Sequence, residues 1–292
     1  MINQTVLMSG VDFFDDAAAI NPFMDQSSPI DLDIAKREHS DIRQSIEKAG
    51  IEVVQVAPPA GCQDGVYTAN WALVRGDTAV LASLPNARKG EEAYAEKVLT
   101  NLGKKVVRVP KGLKFSGQGD ALPCGNYLFA GSGYRSDTEA QAFAAEALGY
   151  ELVQLQTVPL LNEAGQPQIN EYSGWADSFF YDIDLALSVL RAPEHGQKGL
   201  IAWCPDAFMP ESRAKLTAFD SVEKIEVSLD EAKGAFACNL VSTGESIIMG
   251  AHAPKYKSAL ESRGFKVFTP EITELAKGGG YSRCTTLCID NQ

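Results

Sequence analysis

The chain has 292 residues, with 26 basic against 38 acidic side chains and a formal net charge of −12. That acidity argues against a nucleic-acid partner, which needs clustered Lys and Arg, and leaves a small cationic ligand open. Hydrophobic residues make up 45% and charged residues 22%, ordinary usage for a folded domain, and the apolar runs are strand-sized rather than long enough for a membrane helix.

The N-terminal stretch MINQTVLMSGVDFFDD lacks the positive region and apolar run of a signal peptide. Cys62, Cys124, Cys204, Cys238, Cys284 and Cys288 are spread widely, with no CxxC pair and no His-linked metal spacing. The pattern fits a reduced cytoplasmic protein without a metal or organic cofactor. Most of these cysteines are expected to be small buried hydrophobes, and at most one to be chemical.

In chain order, TVLMSG reads as a strand, and DIAKREHSDIRQSIEKAG as an amphipathic helix ending at Gly50 before the strand IEVVQV. NWALVRGDTAVLAS reads as two short strands around Gly76, followed by the helix AEKVLTNLG ending at Gly103 and the strand KKVVRV. The same order recurs as DALPCGNYLFAG around Gly125, FAAEALG ending at Gly149, and YELVQLQ. LALSVLRAPEHGQKGLIAW with RAKLTAFDSVEKIEVS is a degenerate copy whose helix lacks the glycine. CNLVSTGESIIMG around Gly244, KSALESRG ending at Gly264 and FKVFTP form the next, before the terminal strand CTTLCID. The apolar spacing suits one buried helix face, the glycine a left-handed C-cap, and the β-branched run a strand. The paired short strands suit hairpins.

Five such units of roughly 50 to 60 residues predict an α/β fold of repeats, with the first unit completed by pairing the two chain ends. The expectation is one domain over residues 1–292, a five-unit pseudo-symmetric α/β propeller (a pentein-like ring) closed at its termini, which needs no capping repeats. A doubly wound open sheet fits less well, because three strand segments rather than one separate successive helices. In a ring, the loops at one end of the channel converge on one site.

The segment KGGGYSRCTTLCID is the strongest single motif. Gly278, Gly279 and Gly280 predict a flexible loop that allows close backbone approach, with Cys284 following as the next strand begins. A thiol there attacks an electrophilic carbon if cationic or hydrogen-bonding neighbours lower its pKa, Arg283 being one candidate. Taken alone, the motif is equally that of a buried cysteine after a glycine turn.

That segment resembles the nucleophile loop of the guanidine-modifying superfamily, which includes amidinotransferases, arginine deiminases, dimethylargininase-like and arginine dihydrolase-like enzymes. DGVYTANWALV (64–74) resembles the superfamily's N-terminal substrate motif, with Asn70 at a substrate-binding position. FSGQGDAL (115–122), containing Ser116 and Asp120, resembles FEG-x-GDAL, and GSGYRSD (131–137) resembles a loop whose Arg135 would suit a substrate carboxylate. FFYDIDLALSVL (179–190), with Asp182 and Asp184, resembles FYHLDTALS, and INPFM (20–24), with Asn21, resembles INPWM. The matches run in family order over residues 8 to 290. The resemblance implies attack of the Cys284 thiolate on a guanidinium carbon, with carboxylates and amide carbonyls holding the planar cation and a histidine moving protons.

Two positions depart from that pattern. The usual histidine is Asp182 and the usual glutamate is Ser116, so of a Cys–His–Glu group only Cys284 remains. Of the three histidines, His39 is expected to be solvated in the first helix, His195 lies in a polar turn, and His252 follows a strand at a loop. Three readings stay open. Asp182 does the proton work, its pKa raised by Asp184 on the same side of a strand; or the chain is a pseudoenzyme that binds a guanidine ligand; or Cys284 transfers an amidino group. The implied partner is a small guanidine compound, with arginine, a modified arginine, agmatine and smaller guanidines all open. Trp71, Trp175 and Trp203 are expected in the core, and Phe13, Phe14, Trp175 and Phe180 are candidate pocket walls.

Overall fold

A computed structural model describes residues 2–25, 27–194 and 196–291; His195 lies outside the described residues. Among them, fifteen strands form five three-stranded sheets, each a hairpin followed by a helical crossover to a third strand parallel to the middle one. In the second unit these are β3 (Ala72–Arg75), β4 (Thr78–Leu81), α2 (Lys89–Asn101) and β5 (Lys105–Arg108). The third has β6 (Ala121–Cys124), β7 (Tyr127–Ser132), α3 (Thr138–Leu148) and β8 (Glu151–Gln156). The fourth has β9 (Leu187–Arg191), β10 (Gly199–Trp203), α4 (Pro210–Ala218) and β11 (Val222–Glu226), followed by the short α5 (Leu229–Gly234). β12 (Val241–Ser242), β13 (Ser246–Ile248), α6 (Pro254–Ser262) and β14 (Lys266–Phe268) make the fifth. After α7 (Glu274–Lys277), β15 (Leu287–Cys288) pairs antiparallel with β1 (Thr5–Met8) through Val6–Cys288 and Leu7–Leu287. β1 continues through α1 (Leu32–Lys48) to the parallel β2 (Glu52–Gln55).

The middle strand of every sheet is the apolar one, because it is covered on both faces. Leu7 and Met8, Val80 and Ala79, Leu128 and Phe129, Ile201 and Ala202, and Ile247 and Ile248 are all fully buried. The four glycines that end helices adopt φ of +87° at Gly50, +79° at Gly103, +70° at Gly149 and +84° at Gly264. That conformation lets the chain turn back at once onto its sheet. In the fourth unit, which lacks the glycine, α4 is closed by Phe219 in an extended conformation instead.

His39 is a correction to the sequence reading: it is 5% exposed. It shares a helical face with Ala35, Ile42 and Ile46, and the neighbouring Lys36 and Arg37 are the exposed residues. Charge density along the sequence hid this helical phase. Burial, aided by the nearby Arg43, holds the His39 pKa down to about 4, against a small upward pull from Asp12. The folded chain therefore refuses a proton that the unfolded chain accepts near pH 6.5. Stability is lost as pH falls from there towards 4, by about 2 kcal/mol at pH 5. His39→Leu should lose less stability than the parent between pH 7 and 5, measured by denaturant melts; equal losses would exclude His39 as the source.

Glu38, one residue earlier, is also buried and accepts the backbone N–H groups of Thr273, Glu274 and Leu275. It caps the start of α7, where a carboxylate also meets the positive end of the helix. α1 therefore fixes the short helix that leads directly into Gly278.

Candidate active site

Each of the five units places one polar side chain just ahead of its first hairpin strand. They are Asn70 before β3, Asp120 before β6, Asp184 before β9, Asn239 before β12 and Cys284 before β15. All five are buried, at most 4% exposed. Short 3-10 turns at Thr68–Trp71, Gly117–Gly119 and Ile183–Leu185 carry the chain into the first three of these strands and pack in succession.

The Cys284 Sγ accepts a hydrogen bond from Asn239 Nδ2 at 3.1 Å and lies 3.6 Å from Asp184 Oδ2. Burial, then the Asp184 and Asp182 carboxyls, push its pKa well above that of a free thiol, opposed by the Asn239 hydrogen bond. Arg283, expected as a cationic neighbour, instead sends its Nη2 to Gln118 Oε1 at 2.9 Å. Its guanidinium lines a cavity of about 650 Å³ that opens beside the turns at Gly125 and Gly244 and also reaches Asp184.

Asp182 and Asp184 flank a 3-10 turn rather than sharing a strand face. They are electrostatic neighbours all the same. Burial, and next the Asp182 carboxyl, raise the pKa of both Asp120 and Asp184 well above the carboxylate range. Asp182 Oδ2 accepts from Asn70 Nδ2 at 2.8 Å and lies 3.8 Å from Arg135 Nη1. Asp120 Oδ1 accepts from the Ile183 N–H at 3.0 Å. Asp120 Oδ2, Asp182 Oδ1 and Asp184 Oδ1 are buried and make no hydrogen bond among the described residues. Three unsatisfied carboxyl oxygens in one cluster suit a ligand rich in N–H donors.

Ser116 is placed with this group, its Oγ accepting from Asn70 Nδ2 at 2.9 Å. The Arg135 guanidinium carbon lies over the Tyr181 ring, 3.9 Å from its centre, and the side chain donates to the Ile20 carbonyl. Asn21 donates to the Gly278 carbonyl at 3.0 Å and accepts the Phe23 N–H. The glycine loop is buried and fastened, not flexible. Tyr181 Oη donates to the Gly279 carbonyl and Tyr67 Oη to the Leu275 carbonyl. Side chains at Gly278, Gly279 or Gly280 would collide with Tyr67, Phe14, Asn21 or Tyr181.

Arg88 and Glu91, both fully buried, form an ion pair of 2.7 Å beneath Asn70. Arg88 Nη1 donates to Asn70 Oδ1 at 2.7 Å, fixing which way the amide faces. Burial opposes the Arg88 charge, but the Glu91 carboxylate more than offsets it and raises the pKa. Arg88→Met strands the Glu91 carboxylate and should cost about 3–5 kcal/mol in chemical denaturation. A loss under about 1 kcal/mol would mean that the pair contributes little to the fold.

His252 is half-exposed and pairs with Glu271 at 3.0 Å, away from Cys284. Trp71 and Trp203 are core residues as expected, whereas Trp175 is only half-buried under Lys114. Phe14 and Phe180 are buried and Phe13 is 43% exposed. Among the described residues no group of three or more His, Cys, Asp or Glu side chains is disposed to hold a metal ion, and no helix is long and apolar enough to cross a membrane. The sequence reading missed Asn239, Arg88 and Glu91. Aligning the repeats residue by residue finds Asn239, since NLVST stands where DLALS and NWALV stand in their own units.

This mixed α/β fold of five small sheets is shared with known proteins. N(G),N(G)-dimethylarginine dimethylaminohydrolase of Mycobacterium tuberculosis is 32% identical over 279 residues, covering 95% of this chain and 83% of that protein. The bifunctional arginine dihydrolase/ornithine cyclodeaminase AgrE of Nostoc is 31% identical over 97% of this chain, which spans only 37% of AgrE. The N-terminal domain of the cyanobacterial arginine dihydrolase ArgZ, solved as an Asn-to-Ser variant covalently bound to a reaction intermediate, superposes with a TM-score of 0.84 at 30% identity, covering 98% of both chains. No protein-family model matches the chain. The chain belongs to the guanidine-modifying superfamily, alongside dimethylarginine dimethylaminohydrolase and the arginine dihydrolases.

Proposed function

We propose that this chain is a cysteine-dependent enzyme acting on a C–N bond of the guanidinium of arginine or a related compound, a hydrolase first and an amidinotransferase second. The observation that carries the reading is Cys284 Sγ set against Asp184, in a cluster where Asp120, Asp182 and Asp184 each keep a buried carboxyl oxygen unsatisfied. The same reading takes residues 1–292 as one domain and the five sheets as the blades of a closed pseudo-symmetric propeller, acting in the cytoplasm.

Without a ligand, burial and the neighbouring carboxyls keep Cys284 a neutral thiol. A guanidinium docking on the carboxyls supplies the missing positive charge and favours the thiolate. Sγ then attacks the central carbon, forming a C–S bond. Asp182 takes up the proton that the thiol gives up, and delivers it to the departing nitrogen as its C–N bond breaks. Water, deprotonated by the same carboxylate, attacks the carbon of the cysteine adduct and releases the thiol. In transfer, an acceptor amine takes the place of water. Asn70, Ser116 and Asp120 hold the cation from the other side, and Arg135, beside Asp182, meets an α-carboxylate if the ligand has one.

The replacement of the family's His and Glu by Asp182 and Ser116 supports a second reading, a pseudoenzyme that binds a guanidine ligand. Intact-protein mass spectrometry after acid quench, across a panel of guanidines, with ammonia and urea assays on the same samples, separates the two. An adduct on Cys284 or product release supports the enzyme. Thermal stabilisation by a guanidine with neither adduct nor product points to the binding protein.

A further inference from the structure

The Asn239 carboxamide performs two jobs at once in the Cys284 loop. Its Oδ1 accepts three backbone N–H groups, from Tyr281 at 3.2 Å, Arg283 at 3.1 Å and Cys284 at 3.1 Å. Its Nδ2 donates to Cys284 Sγ at 3.1 Å. The side chain is fully buried and reaches across from the turn ahead of β12, 45 residues before Cys284. Three convergent donors on one oxygen lock the amide's orientation. They leave the NH₂ group no choice but to face the sulfur, since an inverted amide would set its N–H groups against three others.

Of the other groups near the sulfur, the Tyr281 backbone N–H also favours its charged form, while the carboxyls oppose it. Asp184 and Asp182, from the turn before β9, raise the thiol pKa. Tyr67 and Tyr181 are neutral phenols whose own ionisation burial suppresses. Arg283, the residue before Cys284, gives its Nη2 to Gln118, and its charge still couples favourably to Cys284. With the family histidine replaced by Asp182, the Asn239 amide is the side-chain donor to the sulfur among the described residues.

We infer that Asn239 is a catalytic residue of this site, its Nδ2–H stabilising the Cys284 thiolate while its Oδ1 holds the nucleophile loop in register. The inference rests on the proposed thiol chemistry only in calling the residue catalytic; the thiolate itself is measurable without any guanidine substrate. A hydrogen bond to the charged form lowers a pKa. Loss of the donor therefore moves the thiolate midpoint upwards. At a fixed pH below that midpoint, the reactive fraction falls about tenfold for each pH unit that the midpoint rises.

Asn239→Asp is the discriminating variant. It keeps an oxygen for the three N–H groups and replaces the donor by an acceptor, but it also adds a charge, so the uncharged Asn239→Ser is measured beside it and must shift the midpoint in the same direction. The readout is the pH profile of iodoacetamide alkylation at Cys284, located by peptide mass spectrometry on the full chain, with a thermal melt to confirm folding. The expected result is a near-parental melt with the alkylation midpoint raised by about one pH unit or more. If Asn239→Asp does not fold, Asn239→Ser is read in the same way; its shorter side chain cannot span the three amides and the sulfur together, and its midpoint also rises. An unchanged midpoint in a folded variant overturns the role in thiolate stabilisation. Because no guanidine is present, that outcome is independent of whether the parent turns over any guanidine. A parent with no turnover but a midpoint that rises on substitution would keep the assignment to the thiolate and remove the proposed reaction.

Discussion

Cys284→Ala should abolish guanidine turnover and adduct formation, a loss of about 10⁴-fold or more if the side chain is the nucleophile. The fold should survive. The sulfur is buried among Asn239, Asp184, Tyr67 and Tyr181, but the loop that carries it is held by other contacts, chiefly the three N–H groups on Asn239 Oδ1 and the tyrosine hydroxyls on Leu275 and Gly279. Losing the thiol leaves one amide N–H of Asn239 without its acceptor, a cost of about 1–3 kcal/mol. The variant should therefore still show a cooperative melt and still be stabilised by a bound guanidine. Full activity in Cys284→Ala would rule out the thiol mechanism, whatever else the site does.

Asp182→Asn should cut turnover by about 10²- to 10⁴-fold, the usual range for removing a positioned acid–base group. It should also do something a merely structural residue would not. Asp182 carries charge that raises the thiol pKa of Cys284 and those of Asp120 and Asp184. Neutralising it stabilises the thiolate, so alkylation of Cys284 should become faster at neutral pH while turnover falls. The amide oxygen of the variant can still accept from Asn70 Nδ2, which preserves the 2.8 Å contact in kind. His252→Ala, at an exposed site paired with Glu271, should leave turnover near the parental value. If instead His252→Ala is the more damaging change, the proton-transfer role belongs to His252. If Asp182→Asn slows alkylation and turnover together, Asp182 acts by shaping the pocket and not by moving protons.

The repeat was legible in the sequence because its signals are local. A helix that ends on Gly50, Gly103, Gly149 or Gly264 declares itself within a dozen residues, and so does a hairpin that turns on Gly76, Gly125 or Gly244. Most of the expected site residues were legible for a related reason. The majority sit at or near the start of a unit's first strand, and the structure brings Asn70, Ser116, Asp120, Arg135, Asp182, Asp184 and Cys284 into one cluster. Asn21 stands at the glycine loop, where it donates to the Gly278 carbonyl.

Local signals in the chain therefore set the alternation of hairpin, helix and strand, and the residue types offered at the end of the fold where chemistry occurs. Which of those groups are charged, which face the sulfur and which are structural emerged only in three dimensions. Arg283 is adjacent to Cys284 in the chain, yet its guanidinium turns to Gln118, 165 residues away, while the sulfur's donor comes from Asn239. His39 stands among charges in sequence but on a buried helical face in space. Proton affinities and hydrogen-bond partners depend on distance and burial, and both are set by contacts between units that no single stretch of sequence contains.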